Sequence, residues 1–449
     1  MAERDPYAQL YAQFRWQCPG EFSIADACCA RWARETPDAP AVIFEGPTGC
    51  RAQYSFGQLQ RAANRLANAL TRLGIQAGAR VGIVLPQRFE AIVAHIAIMR
   101  IGAVALPVSL QLSGPAQAAR LRAGAAALAI VDCTALAGLR RARGDCPELR
   151  RLIVVGECPP ECDELPWMQA VQAEDARCEP VALQAEAPAL LLDAKAEPGS
   201  GALLPQRALI GHLSGFIASQ NWFGFDPDAP AAPSQAVFWT ASDWAGSAAL
   251  LDGVLPALYF GRPVLAWQGR FDATRVLELM RRHRVSHALL SATVLDALVA
   301  TSAAARGGVR LQGLAADVGE LGGATLDAAR EAFGVPVNTL FARSGIGAFV
   351  GHCTRFWDTQ PGSLGRAYPG HRVAVIDAAG QPCPPGVVGE LALHRRDVHG
   401  DLDPIFFLPA AGGAARVHGD WWRSGARALQ DEAGVFWRQS GQGAGRLTH

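Results

Sequence analysis

With 449 residues, half of them hydrophobic and 18% charged, the chain is long enough to bury several packed subdomains and too apolar for a disordered or fibrous class. Lys plus Arg and Asp plus Glu both stand at 41, so no excess of either sign attracts a phosphate backbone or an anionic membrane, and nucleic acid is not an expected partner. Eleven scattered Cys and a polar start, MAERDPYAQL, without an apolar signal core, imply a reducing, cytoplasmic setting. Cys158, Cys162 and Cys178 form no CxxC pair and have no His at zinc-ligand spacing, so no metal site is expected from them.

The first third alternates helix and strand. Residues 23–35 read as helix, 41–43 as strand, 55–73 as a long amphipathic helix and 80–85 as strand. Ser55 stands at the N-cap of the long helix. Leu59, Ala62, Ala63, Leu66, Ala67 and Leu70 recur at helical spacing behind it, and Gly74 stops it. Residues 91–110 are apolar over the roughly 20 residues that span a bilayer. His95, Arg100 and Gly102 interrupt them, however, and AVALPV follows, so the run reads as a buried helix entering a core strand. Two more pairs, 117–123 with 128–131 and 90–100 with 103–108, complete an α/β pattern of a sheet covered by helices.

A polar, Pro-containing and acidic stretch at 169–188 marks a boundary, and 189–192 opens a second alternating unit with helices at 272–283, 292–301 and 326–333 and a strand at 286–290. From residue 361 short β runs, RVAVID and VVGELAL, lie between Gly and Pro turns, as in a small antiparallel barrel. The expected organisation is therefore an α/β subdomain at 1–188, a second at 189–360, a small β-barrel at 361–437 and a tail at 438–449.

Four segments, in order, carry a resemblance: LPQRFEAIVAHIAIMRIGAVALPVS (85–109), FWTASDWAGSAALLDGVLPALYFGRPVLA (238–266), PGSLGRAYPGHRVAVIDAAGQPCPPGVVGELAL (361–393) and GDWWRSGARALQDEAGVFW (419–437). They resemble the framework motifs of the adenylate-forming superfamily of AMP-dependent synthetases and ligases, and of medium-chain acyl-CoA synthetases in particular. The resemblance implies an α/β fold, the acyl-CoA synthetase-like N-terminal domain with two helix-flanked sheets and a distorted barrel. It also implies ATP or AMP and magnesium as ligands. The chain ends at His449, where a C-terminal lid domain would follow in that family, so the lid is expected to be absent.

The sites that the resemblance implies are altered one by one. At the phosphate loop, LLLDAKAEPGSGALLPQRALIGHL carries Asp193 and Glu197, carboxylates that repel a triphosphate, and Ser200 where the family has Lys. Lys195, the sole lysine, could join Ser200, Gly199 and Gly201 in a makeshift cradle; the local chemistry favours a surface turn before a helix. The family's Gly-Gly-Glu stretch becomes Asp317, Val318 and Gly319, with Glu320 one residue on. In its Tyr-Gly-x-Thr-Glu motif, Tyr stacks on adenine, Thr bonds the α-phosphate and Glu holds magnesium. After Asn338 this chain has Phe341, Ala342, Arg343, Ser344 and Gly345, which keeps a ring and a hydroxyl and loses the carboxylate. The ribose-binding Thr-Gly-Asp becomes Ser424, Gly425 and Ala426. Arg438 and Arg446 are the candidates for the hinge Arg, in a Gly-rich tail.

Removing the phosphate Lys, the magnesium Glu and the ribose Asp forfeits on the order of 5–9 kcal/mol of charge-assisted contact. That is roughly 10⁴ to 10⁶ in rate. The expectation is a catalytically impaired or inactive relative with no catalytic residue assigned. Lys195, Ser200, Phe341 and Ser344 are its nucleotide-contact candidates, and Trp239, Asp243 and Trp244 its substrate-pocket candidates. An acyl-type small molecule or an acyl-CoA synthetase paralogue is the expected partner. The alternative is an active carboxylic-acid adenylating enzyme completed by a separate C-terminal domain.

Overall fold

The computed structural model describes residues 5–192, 201–229, 232–302, 308–317, 321–357, 360–406 and 417–439. Lys195, Ser200, Val318, Glu320 and Arg446 lie outside them. In chain order the strands are β1 (Pro40–Glu45), β2 (Arg51–Ser55), β3 (Arg80–Val84), β4 (Val104–Pro107), β5 (Leu128–Asp132), β6 (Arg151–Val155), β7 (Glu164–Pro166), β8 (Pro188–Leu192), β9 (Ala202–Pro205), β10 (Phe238–Thr240), β11 (Val264–Trp267), β12 (His287–Leu290), β13 (Gly313–Asp317), β14 (Asn338–Arg343), β15 (Gly347–Gly351), β16 (Ser363–Ala367), β17 (Val373–Ile376), β18 (Gly389–His394), β19 (Val417–His418), β20 (Trp421–Gln430) and β21 (Phe436–Arg438).

They make two sheets. The smaller runs β7-β6-β5-β3-β4-β8-β9 and is parallel up to its antiparallel β8–β9 edge. Its central strands, RVGIV, VALP and LAIVD, are nearly continuous in apolar residues because helices cover both faces. The larger sheet runs β17-β18-β20-β21-β16-β15-β14-β13-β12-β10-β11-β1-β2, with β19 against β20; it is parallel from β14 to β1 and antiparallel at both ends.

Between them lies a helical layer. Helix Phe56–Arg72 starts as its sequence predicts, with a capping box in which Gln58 N donates to Ser55 Oγ at 3.3 Å and Ser55 N donates to Gln58 Oε1 at 2.8 Å. Helix Phe89–Arg100 is buried throughout from Ala91 to Arg100, which accounts for its largely apolar run without a membrane. Among the described residues no helix is long and apolar enough to cross one. These two helices, helix Ala208–Ser219 and helix Leu255–Tyr259 share one apolar cluster with strands of both sheets.

Sheet membership does not follow the divisions read from the sequence. β8, at the expected start of the second unit, pairs with β4 of the smaller sheet, while β1 and β2, from the first 60 residues, extend the larger sheet through Val42 opposite Val264. Strand edges left by one segment are covered by another far away in the chain, a pairing that local composition does not encode. Strands β16 to β21 also join the larger sheet, β16 pairing with β15 through Val350 and Ala367. They form an antiparallel extension, and no closed barrel forms among the described residues.

Candidate functional site

The altered adenine motif lies on a hairpin. β14 is buried from Asn338 to Phe341 and turns through Ser344, Gly345 and Ile346 into β15, with Ile346 N donating to Arg343 O at 3.0 Å. Gly345 (φ 76°) and Gly347 (φ 76°) supply the left-handed backbone the turn needs. The hairpin is anchored from behind by a buried pair. His212 Nδ1 lies 2.6 Å from Asp252 Oδ1, and the same oxygen accepts from Ala348 N at 3.3 Å. A β-carbon on Gly347 would collide with the His212 ring, so the glycine allows this close approach.

Phe341 meets Phe349 edge to face, with centroids 5.4 Å apart. Over the ring stands the guanidinium of Arg343, its central carbon 4.1 Å from the centroid. Arg343 Nε also donates to the carbonyl of Ser424 at 3.2 Å, and one terminal nitrogen donates to Ala342 O at 3.1 Å. One side chain therefore joins the altered adenine motif to the altered ribose motif. Ser344, one residue on, is exposed and its Oγ lies 3.1 Å from Ser247 Oγ, which comes from the start of the helical segment after β10.

The ribose motif sits in β20. Ala426 is buried and presents a methyl group, and its backbone N bonds the Ser424 hydroxyl at 3.1 Å. The adjacent acid is Glu390 of β18. One of its oxygens accepts from Gly425 N and the other from Arg423, both at 2.9 Å. That carboxylate is committed to holding the strand. Gly345 has no side chain where the family places its magnesium carboxylate, and Ala426 has no acceptor for a ribose hydroxyl proton. At these two positions the chain offers neither a carboxylate for a metal ion nor an acceptor for a ribose hydroxyl. The phosphate loop, 193–200, lies outside the described residues.

The three pocket candidates from β10 and the turn after it do not converge. Trp239 is fully buried under helices Ala273–Arg282 and Ala292–Ser302, in the apolar cluster on one face of the larger sheet; Trp244 is buried in the cluster on the other face. Alternation along β10 explains the separation of Trp239 from its neighbour Phe238, which faces the second cluster. Asp243 accepts from Ala245 N at 3.0 Å and from the hydroxyl of Ser109, in the loop after β4, which clasps the smaller sheet to the larger. Gln87 strengthens that clasp by donating to the carbonyls of Thr240 and Ser242 at 3.0 and 2.8 Å.

Sequence reading named Phe341 and Ser344 but gave no role to Arg343, Ser247 or Glu390. An Arg at the variable position of the adenine motif was the available signal for the first. The other two are brought in from 97 and 35 residues away, Ser247 by the helical segment after β10 and Glu390 by the pairing of β18 with β20, without a local signature.

The profile of the AMP-binding enzyme family matches residues 29–192 and 200–399. The chain belongs to that family. Among curated members it is 23% identical over 407 residues to the uncharacterized acyl-CoA ligase YtcI of Bacillus subtilis, covering 89% of this chain and 73% of the relative. It is 26% identical over 464 residues to the acetyl-coenzyme A synthetase of Thiobacillus denitrificans, covering 94% and 68%. A crystal structure of a Brucella canis acyl-CoA synthetase superposes with a TM-score of 0.85 at 22% identity, over 97% of this chain and 80% of that one. The anthranilate CoA ligase AuaEII, solved in complex with anthranoyl-AMP, superposes with a TM-score of 0.77 at 20% identity, over 94% and 78%. At these identities the two structures establish the fold, and this AMP-binding family member shares it.

Proposed function

We propose that this AMP-binding family member is an acyl-CoA synthetase-like protein whose nucleotide site is impaired and which keeps a binding or regulatory role in the cytoplasm. The observation that carries the reading is Arg343. Its guanidinium covers the one aromatic ring left in the adenine motif and is tied to the Ser424 carbonyl of the ribose motif. An adenine that stacked on Phe341 would have to displace a cation from the ring and break that hydrogen bond. It would then find no carboxylate at 345 or 426 in return. The framework around the site is kept, which supports a role that uses the fold: holding an acyl-type small molecule, or pairing with an active acyl-CoA synthetase.

The test is calorimetric titration with magnesium-ATP and with AMP, alongside an acyl-adenylate assay over a panel of carboxylic acids. The expected result is no magnesium-dependent nucleotide binding tighter than about 1 mM and no acyl-adenylate. Micromolar, magnesium-dependent binding with acyl-adenylate formation by the protein alone overturns the reading. Acyl-adenylate formed only after a separate C-terminal polypeptide is added favours the adenylating alternative, in which ATP or AMP and magnesium are the working ligands.

A further inference from the structure

A cavity of about 350 Å³ lies away from the motif hairpin, where β2, helix Phe56–Arg72 and the start of helix Phe89–Arg100 meet the short helix Trp167–Val171. Its volume is within the roughly 300–1,000 Å³ of small-molecule sites. Tyr54 and Phe89 stack in it almost parallel, centroids 3.8 Å apart and planes 12° apart, and Trp167 lines it too. All three rings are only half-buried. Arg61 and Arg65, one turn apart on helix Phe56–Arg72, complete the lining and are exposed.

These two arginines have no acidic partner among the described residues, whereas the acid in the lining is engaged. Glu90, also in the lining, is held by Arg88 at 2.8 Å, and Arg88 reaches Asp132 at 3.0 Å as well; Glu174 is held by Arg72 at 2.6 Å. Like charges at i and i+4 on a helix cost about 0.2–0.5 kcal/mol. Two cationic side chains one turn apart in the lining of a cavity that also holds aromatic rings have a natural complement in an aromatic compound that carries a dianion.

We propose that this cavity is a second ligand site for nucleoside monophosphates, phosphomonoesters that carry a planar aromatic base. The aromatic residues receive the ring and Arg61 and Arg65 clamp the phosphate. The site joins β2 of the larger sheet to a helix that follows β3 of the smaller one, so a ligand here bridges the two halves of the fold. It is separate from the Phe341 hairpin and independent of whether that hairpin takes a nucleotide.

The experiment is calorimetric titration of the full chain with GMP, guanosine and inorganic phosphate, repeated on Arg61→Ala/Arg65→Ala and on Arg343→Ala. GMP avoids a probe chosen for the adenine motif. The expected result is GMP binding at least about tenfold tighter than guanosine or phosphate, weakened at least about tenfold by the Arg61/Arg65 double variant and unchanged by Arg343→Ala. Both arginines are exposed, so their loss leaves the fold intact, which circular dichroism checks. GMP binding that is undetectable, indifferent to the double variant, or no tighter than that of phosphate alone overturns the proposal.

Discussion

Asp252 Oδ1 lies 2.6 Å from His212 Nδ1 and 3.3 Å from the backbone N of Ala348, so a single buried oxygen holds helix Ala208–Ser219 and the root of the motif hairpin together. The two side chains are 4% and 0% exposed, so neither can fall back on water. Breaking a buried pair by deleting one partner costs about 3–5 kcal/mol. Asp252→Ala is expected to lower the unfolding free energy by that amount, read from urea denaturation. Asp252→Asn keeps an acceptor oxygen of the same shape and is expected to cost about 1 kcal/mol.

Gly345 decides whether the lost magnesium carboxylate could be put back by one substitution. Its φ of 76° lies in the left-handed region, where a side chain with a β-carbon is strained by about 1–2 kcal/mol. Gly345→Glu is therefore expected to destabilise the protein by about that much without restoring metal binding. A thermal melt checks the first, and magnesium titration of the variant checks the second. Gly345→Asn is expected to cost less, because Asn tolerates this conformation better. Equal melts for both variants would argue against backbone strain as the cause.

Three buried histidines set an acid sensitivity. Burial pushes His95 and His352 down to about 4 and His287 down to about 3, from the ordinary 6.5. His352 sits between the Thr339 and Ser363 hydroxyls at 2.6 and 3.0 Å, and His287 bonds the Ser286 hydroxyl at 2.9 Å. Because the folded state holds them neutral, the unfolded chain binds more protons below pH 6.5. Their contribution is complete above that value and is lost progressively as pH falls towards 4. Each accounts for up to about 2 kcal/mol between pH 7 and pH 5. Urea midpoints measured across that window are expected to fall with acidification, and His95→Leu is expected to flatten the slope. An unchanged slope in that variant would exclude His95 as a contributor.

Much of the architecture was legible before the structure, for a physical reason: local signals set local elements. Ser55, the 3.6-residue spacing behind it and Gly74 bounded the long helix within a residue or two. The apolar run at 91–110 read as a buried helix entering a core strand because His95, Arg100 and Gly102 interrupted it. Pairing was not legible. Nothing near Pro188 says that β8 lies beside β4, and nothing near Ala41 says that β1 lies beside β11. The same limit governed the site. Phe341 and Ser344 were found by motif, whereas Trp239 and Trp244 could be told apart only once the sheet had two faces. Arg343 was visible in the motif all along, but its effect depends on Ser424, 81 residues away.

That dependence makes the last prediction. Arg343 gains from the Phe341 ring about 0.5–2 kcal/mol and adds a hydrogen bond to the Ser424 carbonyl, both of which an entering base would have to displace. In the Arg61→Ala/Arg65→Ala background, which silences the second site, Arg343→Ala removes that competition and is expected to raise AMP affinity by roughly three- to tenfold, read by calorimetry. Adding Ala426→Asp supplies an acceptor at the ribose motif, worth about 1.5–3 kcal/mol if the hydroxyls reach it, and so roughly a further tenfold or more. Without ligand the same Asp lies at a position 6% exposed and is expected to lower the melting temperature, with AMP recovering part of the loss through linkage. If Arg343→Ala/Ala426→Asp in that background binds AMP no better than the background alone, Arg343 is not what closes the ring, and the impairment lies in the phosphate loop instead.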